Sequence, residues 1–231
     1  MLELSNISIS YGKSKVINQI SFQLEEDEIL VILGRNGVGK TTLMKGIIGL
    51  LPAGEGKISL NHEDVTKAKP YTRSRKGIAY VPQGREIIPQ LTVQENLQLG
   101  ALAHNIDYEK KSKEIFEYFP ALIQHLKRKG GVLSGGQQQQ LAIARALMGD
   151  PKILILDEPT EGIQPNIVME ISSILRRYHD EKKVPIIVVE QNLKFARKLG
   201  DRFLMIQKGS VVAEGEIGQL TDDLSKKYLS V

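Results

Sequence analysis

An α/β fold on a largely parallel sheet is what the sequence predicts, from three observations. Continuous apolar runs at residues 29–33, 153–156 and 185–189 read as strands buried on both faces. Helical patterns separate these runs, as parallel strands joined by crossover helices require. Ahead of them, Leu2, Leu4, Ile7 and Ile9, then Ile20, Phe22 and Leu24, follow the period-two pattern of half-buried strands around a turn at 11–15. An N-terminal antiparallel β subdomain is expected there.

The remaining elements follow in order. The run at 29–33 passes directly into a glycine-rich stretch, 34–39, and then into a helical pattern. Short strands flanked by glycine or proline are expected at 57–60 and 77–81. Thr92 and Glu95 have the spacing of a capping box, and helix formers continue to about Arg128 with a break at Pro120. A further helix from Ser134 to Met148 is closed by Gly149, Asp150 and Pro151. Residues from about 88 to 150 therefore read as an inserted α-helical subdomain within a single domain, 1–231. Beyond it come the strand at 153–156, a helix at 167–178, the strand at 185–189, a helix at 192–199 stopped by Gly200, and strands at 203–206 and 211–213.

Composition bounds the function. The chain has 231 residues, of which 41% are apolar, enough for a full core without staples. It has no cysteine, which excludes a disulfide framework, thiol catalysis and a zinc-thiolate site. The formal charge of +4 comes from scattered residues and forms no basic stripe, so nucleic acid is not an expected partner. The first ten residues lack a basic start and apolar run, and no stretch reaches the roughly 18–20 apolar residues of a membrane span. Neither export nor membrane insertion is expected.

Chemistry enters with Gly34-Arg35-Asn36-Gly37-Val38-Gly39-Lys40-Thr41, a P-loop pattern set between a buried strand and a helix. Glycines let successive amides point at phosphates, Lys40 supplies a cation for the β and γ phosphates, and the Thr41 hydroxyl is placed to ligate Mg²⁺. Such a loop needs an acid on a neighbouring strand, and Ile153-Leu154-Ile155-Leu156-Asp157 ends in one. Asp157 is the metal-side candidate. Glu158 follows, where a carboxylate can orient or deprotonate an attacking water.

The most discriminating segment is Leu133-Ser134-Gly135-Gly136-Gln137, two glycines and a serine opening a helix. Free amides and the positive dipole end at such a start suit an anion. The P-loop, LSGGQ and ILILDE, in this order and spacing, resemble an ABC-type ATPase over essentially the whole chain. The resemblance implies a P-loop NTPase (RecA-like) α/β core that binds and hydrolyses ATP with Mg²⁺. It implies that Gly34, Asn36, Gly37, Val38, Gly39, Lys40, Thr41 and Thr42 hold the phosphates. It further assigns Tyr11 and Val16 to the adenine side, and Gln83 in Tyr80-Val81-Pro82-Gln83 to the metal and to communication with the helical subdomain. By the same resemblance, two domains pair head to tail, so that Ser134, Gly135, Gly136 and Gln137 cover ATP held by a second subunit, identical or related. Two separate transmembrane permease subunits and a periplasmic or surface solute-binding protein complete the expected assembly, at the cytoplasmic face of the membrane. A groove formed by residues 84–91 and the helix start at Thr92 is expected to receive a short permease helix, with Arg85 and Glu86 in contact.

Within the family, Gly84-Arg85-Glu86, Arg128-Lys129-Gly130-Gly131, the run of glutamines from Gln137 to Gln140, and Thr160-Glu161-Gly162-Ile163-Gln164-Pro165 resemble the second ATP-binding subunit of urea-type importers, with branched-chain amino-acid importers as the alternative. Two positions depart from the general pattern. Glu161 to Gln164 replace a small residue and a later Asp, and Gln191 in Val189-Glu190-Gln191 stands where a switch histidine is usual. Gln191 is expected to donate to the γ-phosphate, or else to cap the helix near Asn192. The four histidines, His62, His104, His125 and His179, read as surface or helix residues. A soluble ABC protein acting on ribosomes or DNA, and a P-loop protein that binds without turnover, are the competing classes. The first needs a tandem domain or basic stripe, and the second fits poorly with Lys40, Asp157 and Glu158 together.

Overall fold

A computed structural model describes residues 2–229. β1 (Leu2–Tyr11) and β2 (Ser14–Leu24) pair antiparallel, and the turn between them is tighter than the sequence suggests. Gly12, at φ 57, makes the tight reversal. β3 (Ile29–Leu33) is buried at every residue. β4 (Glu55–Leu60) and β5 (Glu63–Asp64) extend the first sheet, whose order is β2-β1-β4-β5.

β6 (Ile78–Val81), β7 (Ile153–Asp157), β8 (Ile186–Glu190), β9 (Arg202–Gln207) and β10 (Ser210–Glu216) join β3 in a second sheet of order β10-β9-β3-β8-β7-β6. Every pairing in it is parallel except that of β10 with β9. The continuous apolar runs mark its centre: β7 and β8, like β3, are buried throughout. Because β3, β7 and β8 are parallel neighbours, the loops that leave them emerge at one edge of the sheet. In an open α/β sheet that edge is where ligands bind.

Helix α1 (Lys40–Ile47) follows β3 through the glycine-rich loop. Helix α2 (Pro70–Arg75), α3 (Val93–Leu102), α4 (Tyr108–Tyr118) and α5 (Gly135–Leu147) follow in the chain. Helices α3 to α5 lie between β6 and β7 in sequence and share one apolar cluster, in which Leu97, Ile115, Leu141 and Leu147 are fully buried. Burial of each such side chain contributes about 1.5–3 kcal/mol. Thr92 and Glu95 form the capping box expected at the start of α3. A break absent from the sequence reading separates α3 from α4, where Asp107 caps the new helix through the amide of Lys110. Pro120 opens a 3₁₀ turn instead of merely interrupting a helix. Buried Asn96 orders the segment ahead of α3, accepting from the Ile88 amide at 2.9 Å and donating to the Ile88 and Thr92 carbonyls.

Helix α6 (Pro165–Lys182), α7 (Leu193–Leu199) and α8 (Asp222–Leu229) complete the chain. Helix α6 runs longer than the 167–178 pattern because Pro165 suits a first turn and Lys183, at φ 55, ends the helix in the left-handed region. Helices α2 and α8 and strand β5 have no counterpart in the sequence reading. Helix α2 is held by Arg73, which is 1% exposed. Its guanidinium donates to the carbonyls of Gly46 (2.8 Å), Ile47 (2.7 Å), Thr66 (2.8 Å) and Ala68 (3.1 Å). A cation is thus set against the negative end of α1.

Candidate active site

The loop between β3 and α1 is shaped by glycines with positive φ, Gly37 at 79° and Gly39 at 108°. A Cβ on Gly39 would meet the Ile17 side chain at 2.7 Å, so both conformation and space demand glycine there. Gly39 is also the N-cap of α1 and offers no side-chain cap, which leaves the first amides of the helix free for an anion. Lys40 is buried and its Nζ donates to the carbonyls of Gly34 (2.9 Å) and Arg35 (3.0 Å). The same Nζ pairs with Glu158 Oε1 at 3.1 Å. A cavity of about 340 Å³ opens here, lined by Val16, Asn36, Gly37, Gly39, Lys40, Thr41, Thr42, Gln83 and Glu158.

Asp157, at the end of β7, is 1% exposed. Its Oδ2 accepts from the Tyr80 hydroxyl at 3.1 Å, while the buried Oδ1 has no hydrogen-bond partner. Burial pushes the Asp157 carboxyl up, against the lowering influence of the Thr41 and Tyr80 hydroxyls beside it. Burial and the neighbouring Asp157 charge likewise push the Tyr80 phenol up, so it remains a donor. An orphaned carboxylate oxygen beside the Thr41 hydroxyl fits a hard cation with oxygen ligands, as Mg²⁺ is.

Glu158 has φ 48, a left-handed conformation that costs a side-chain-bearing residue about 1–2 kcal/mol. That turn presents its carboxylate to three neighbours. Besides Lys40, Oε1 accepts from Gln191 Nε2 at 3.3 Å and Oε2 from Gln83 Nε2 at 3.4 Å. Gln191 Nε2 donates also to Asn36 Oδ1 at 2.6 Å, and Gln83 Nε2 to Glu161 Oε2 at 3.0 Å. Asn192, not Gln191, caps α7, its Oδ1 accepting from the Phe195 amide at 3.1 Å. The capping alternative for Gln191 is thereby removed, because the shorter side chain one residue later fills that role.

The Ser134–Gln137 turn lies apart from this cavity. Ser134 caps α5 with the reciprocal bonds of a capping box to Gln137. Gln137 Nε2 lies 3.0 Å from His125 Nε2. None of Ser134, Gly135, Gly136 or Gln137 lines the cavity around Lys40.

A family model described as "ABC transporter" matches residues 17–161. The chain belongs to the ABC transporter family. It is 38% identical to the high-affinity branched-chain amino acid transport ATP-binding protein of Pseudomonas aeruginosa, over 92% of this chain and 91% of that protein. It is 34% identical to a probable branched-chain amino acid transport ATP-binding protein of Archaeoglobus fulgidus, over 96% and 94% respectively. Among solved structures, it resembles a dimeric ATP-binding cassette bound to ADP and Pi, with a TM-score of 0.85 and 27% identity over 94% of this chain and 99% of that one. The fold is that of the ABC ATPases, with the P-loop NTPase core expected from the motifs, and the chain is an ATP-binding, ATP-hydrolysing transport ATPase.

In this ABC ATPase, Lys40, Thr41, Thr42, Asn36, Gly37, Gly39, Val16, Gln83 and Glu158 meet in one cavity; Gln191 is bonded to two of them, Asn36 and Glu158, and Asp157 lies beside Thr41. Gly34 contributes its carbonyl to Lys40, and Val38 turns toward the apolar core. Tyr11, 49% exposed at the end of β1, does not line the cavity. Arg85 donates to Gln138 Oε1 (3.2 Å) and the Glu161 carbonyl (3.4 Å), bridging α5 to the loop after β7. Of residues 84–91, Ile88 lines the neighbouring groove. His125, in the 3₁₀ turn, and His179, in α6, are helix residues as expected and are buried; His179 Nδ1 lies 2.9 Å from the Val184 carbonyl and Nε2 3.2 Å from Asp27. Tyr80 and Glu190 were passed over as site residues, although each stands beside a motif residue. A tyrosine three residues before Gln83 and an acid ending a wholly apolar strand were the available signals.

Proposed function

We propose that this ABC ATPase drives an importer of branched-chain amino acids from the cytoplasmic face of the membrane, using ATP and Mg²⁺. The observation that carries the chemistry is one carboxylate, Glu158, facing Lys40, Gln191 and Gln83 next to the orphaned Asp157 oxygen. A γ-phosphate in the amide cradle competes with Glu158 for Lys40. Glu158 released from the lysine is free to orient and deprotonate water, while Gln191 donates to the phosphate from the Asn36 side. Asp157, Thr41 and Gln83 would hold Mg²⁺, which neutralises charge on the phosphates. Val16 takes the nucleoside end, and Tyr11 is the residue assigned to stack on the base.

The free amides of Gly135 and Gly136 at the start of α5 serve a second ATP-binding subunit, identical or related, and a partner's signature serves this one. One of two permease subunits docks a short helix in a groove of about 490 Å³ whose lining includes Leu50, Tyr71, Ile88 and Leu99, apolar side chains left exposed on the described surface. No helix among the described residues is long and apolar enough to cross a membrane; the attachment proposed is through those subunits. A solute-binding protein supplies the permease from the far side. Branched-chain amino acids are preferred to urea because both relatives named above carry amino-acid transport in their names.

The test is twofold. Glu158→Gln retains ATP binding, loses at least about 100-fold in turnover, and accumulates as an ATP-held dimer in a size measurement; hydrolysis at the unsubstituted rate refutes the site. In vesicles carrying the complete transporter, leucine uptake driven by internal ATP supports the solute class, and uptake of urea alone overturns it.

A further inference from the structure

We infer that Glu190 is a positioning residue, its buried carboxylate clamping the loop that carries Glu158 to the loop that carries Gln191. Glu190 ends β8 and is 3% exposed. Its Oε1 accepts from the Thr160 amide at 3.0 Å, in the turn that follows Glu158. Its Oε2 accepts from the amides of Gln191 at 3.0 Å and Asn192 at 3.1 Å, in the turn that opens α7. One oxygen serves each loop.

The two turns need such a tie. Glu158 and Val189 sit at the ends of adjacent strands, joined by a single bond from the Glu158 amide to the Val189 carbonyl at 2.9 Å. Beyond that bond the ladder stops, while Glu158 must hold φ 48 and Gln191 must stay within reach of both Asn36 and Glu158. Strained backbone persists where its surroundings over-determine it, and the Thr160 bond supplies that constraint one turn from the strain.

A carboxylate is the side chain that meets three amide donors without presenting one of its own. An amide of the same shape has one acceptor oxygen and must turn its NH₂ toward an amide N–H, so it can hold one loop but not both. Burial pushes the Glu190 carboxyl up, against the lowering influence of the Thr160, Asn192 and Gln191 hydrogen bonds. The fold thus retains an acid where burial disfavours its charge, at a position that touches both loops.

The inference rests on Glu158 and Gln191 acting on water and phosphate, so Glu158→Gln is run beside it as the control on that reading. Steady-state hydrolysis by the full chain is measured against ATP concentration for the unsubstituted protein, Glu190→Gln, Gln191→Ala and the double variant, with thermal melting of each. Glu190→Gln is expected to lower kcat by about 10–100-fold. The KM for ATP should move by less than about threefold, because the amide cradle between β3 and α1 is untouched. In the double variant, the Gln191→Ala effect should shrink, since the clamp that orients Gln191 is already gone. Glu190→Asp, which keeps the charge but shortens the reach, should fall between the two and serves if Glu190→Gln melts below the assay temperature. An unchanged kcat per folded molecule in Glu190→Gln, or strict additivity in the double variant, overturns the clamp and leaves Glu190 a stability residue. Hydrolysis that survives Glu158→Gln would instead remove the reading beneath it.

Discussion

Two helices of this protein begin in glycine-rich turns, and they begin differently. Helix α1 starts at Gly39, with no side chain returned to its first amides and with buried Lys40 and Asp157 and half-buried Glu158 nearby. Helix α5 starts at Ser134, whose side chain and that of Gln137 already satisfy two of its orphan groups. The first is a site furnished with charge from the first residue of α1 and from the end of β7. The second is a pre-ordered edge with the amides of Gly135 and Gly136 to offer and, among the described residues, no acid or lysine bonded to it, only Arg85 on Gln138. The contrast teaches that a helix N-terminus becomes a reaction centre through what its neighbours deliver to it, whereas the self-capped one is the end proposed above to complete a partner's site.

The contrast can be broken most severely at Lys40. Lys40→Ala removes the cation that both the phosphates and Glu158 use, and hydrolysis should fall by about 1,000-fold or more in a steady-state assay. A smaller loss comes from Gln191. Gln191→Ala deletes a donor to the transferring phosphate and should lower turnover by about 10–100-fold with little change in ATP affinity measured by a fluorescent nucleotide. Gln191→His keeps a donor and should retain activity. The smallest effect sharpens the other side: Ser134→Ala removes one arm of the α5 cap, costing about 1 kcal/mol and lowering Tm by about 2–4 °C in a melting scan. Its ATP affinity in the isolated chain should stay unchanged, since Ser134 does not line that chain's cavity. A drop in that affinity would show the two helix starts to be less separate than their geometry.

The same contrast explains what the sequence discloses. The strands at 29–33, 153–156 and 185–189 could be read because burial on both faces leaves an unbroken apolar run. The P-loop, the acid pair and the α5 start could be read because each is local, its parts within a few residues of one another. The contacts that were missed join residues far apart in sequence: Glu190 reaches 30 residues back to Thr160, Tyr80 reaches 77 residues to Asp157, and Arg85 reaches 53 residues to Gln138. No periodicity carries such pairings. Helix α2 escaped for a similar reason, being six residues fixed less by propensity than by one arginine. The solute class was legible to neither reading of the site, because the nucleotide cavity holds phosphate chemistry alone.

Arg73 gives α1 a property that its sequence does not suggest. The helix spans about 12 Å, with phosphate-facing amides at one end and a guanidinium bolted to its last carbonyls at the other. Arg73 belongs to α2, and α2 helps to wall the apolar groove through Pro70, Tyr71 and Ser74. On the docking proposed above, a body pressed into that groove would bear on α2 and, through Arg73, on the end of α1 opposite the nucleotide cavity. A push there would reach the far end of the helix without any loop having to refold, so that α1 would act as a pushrod.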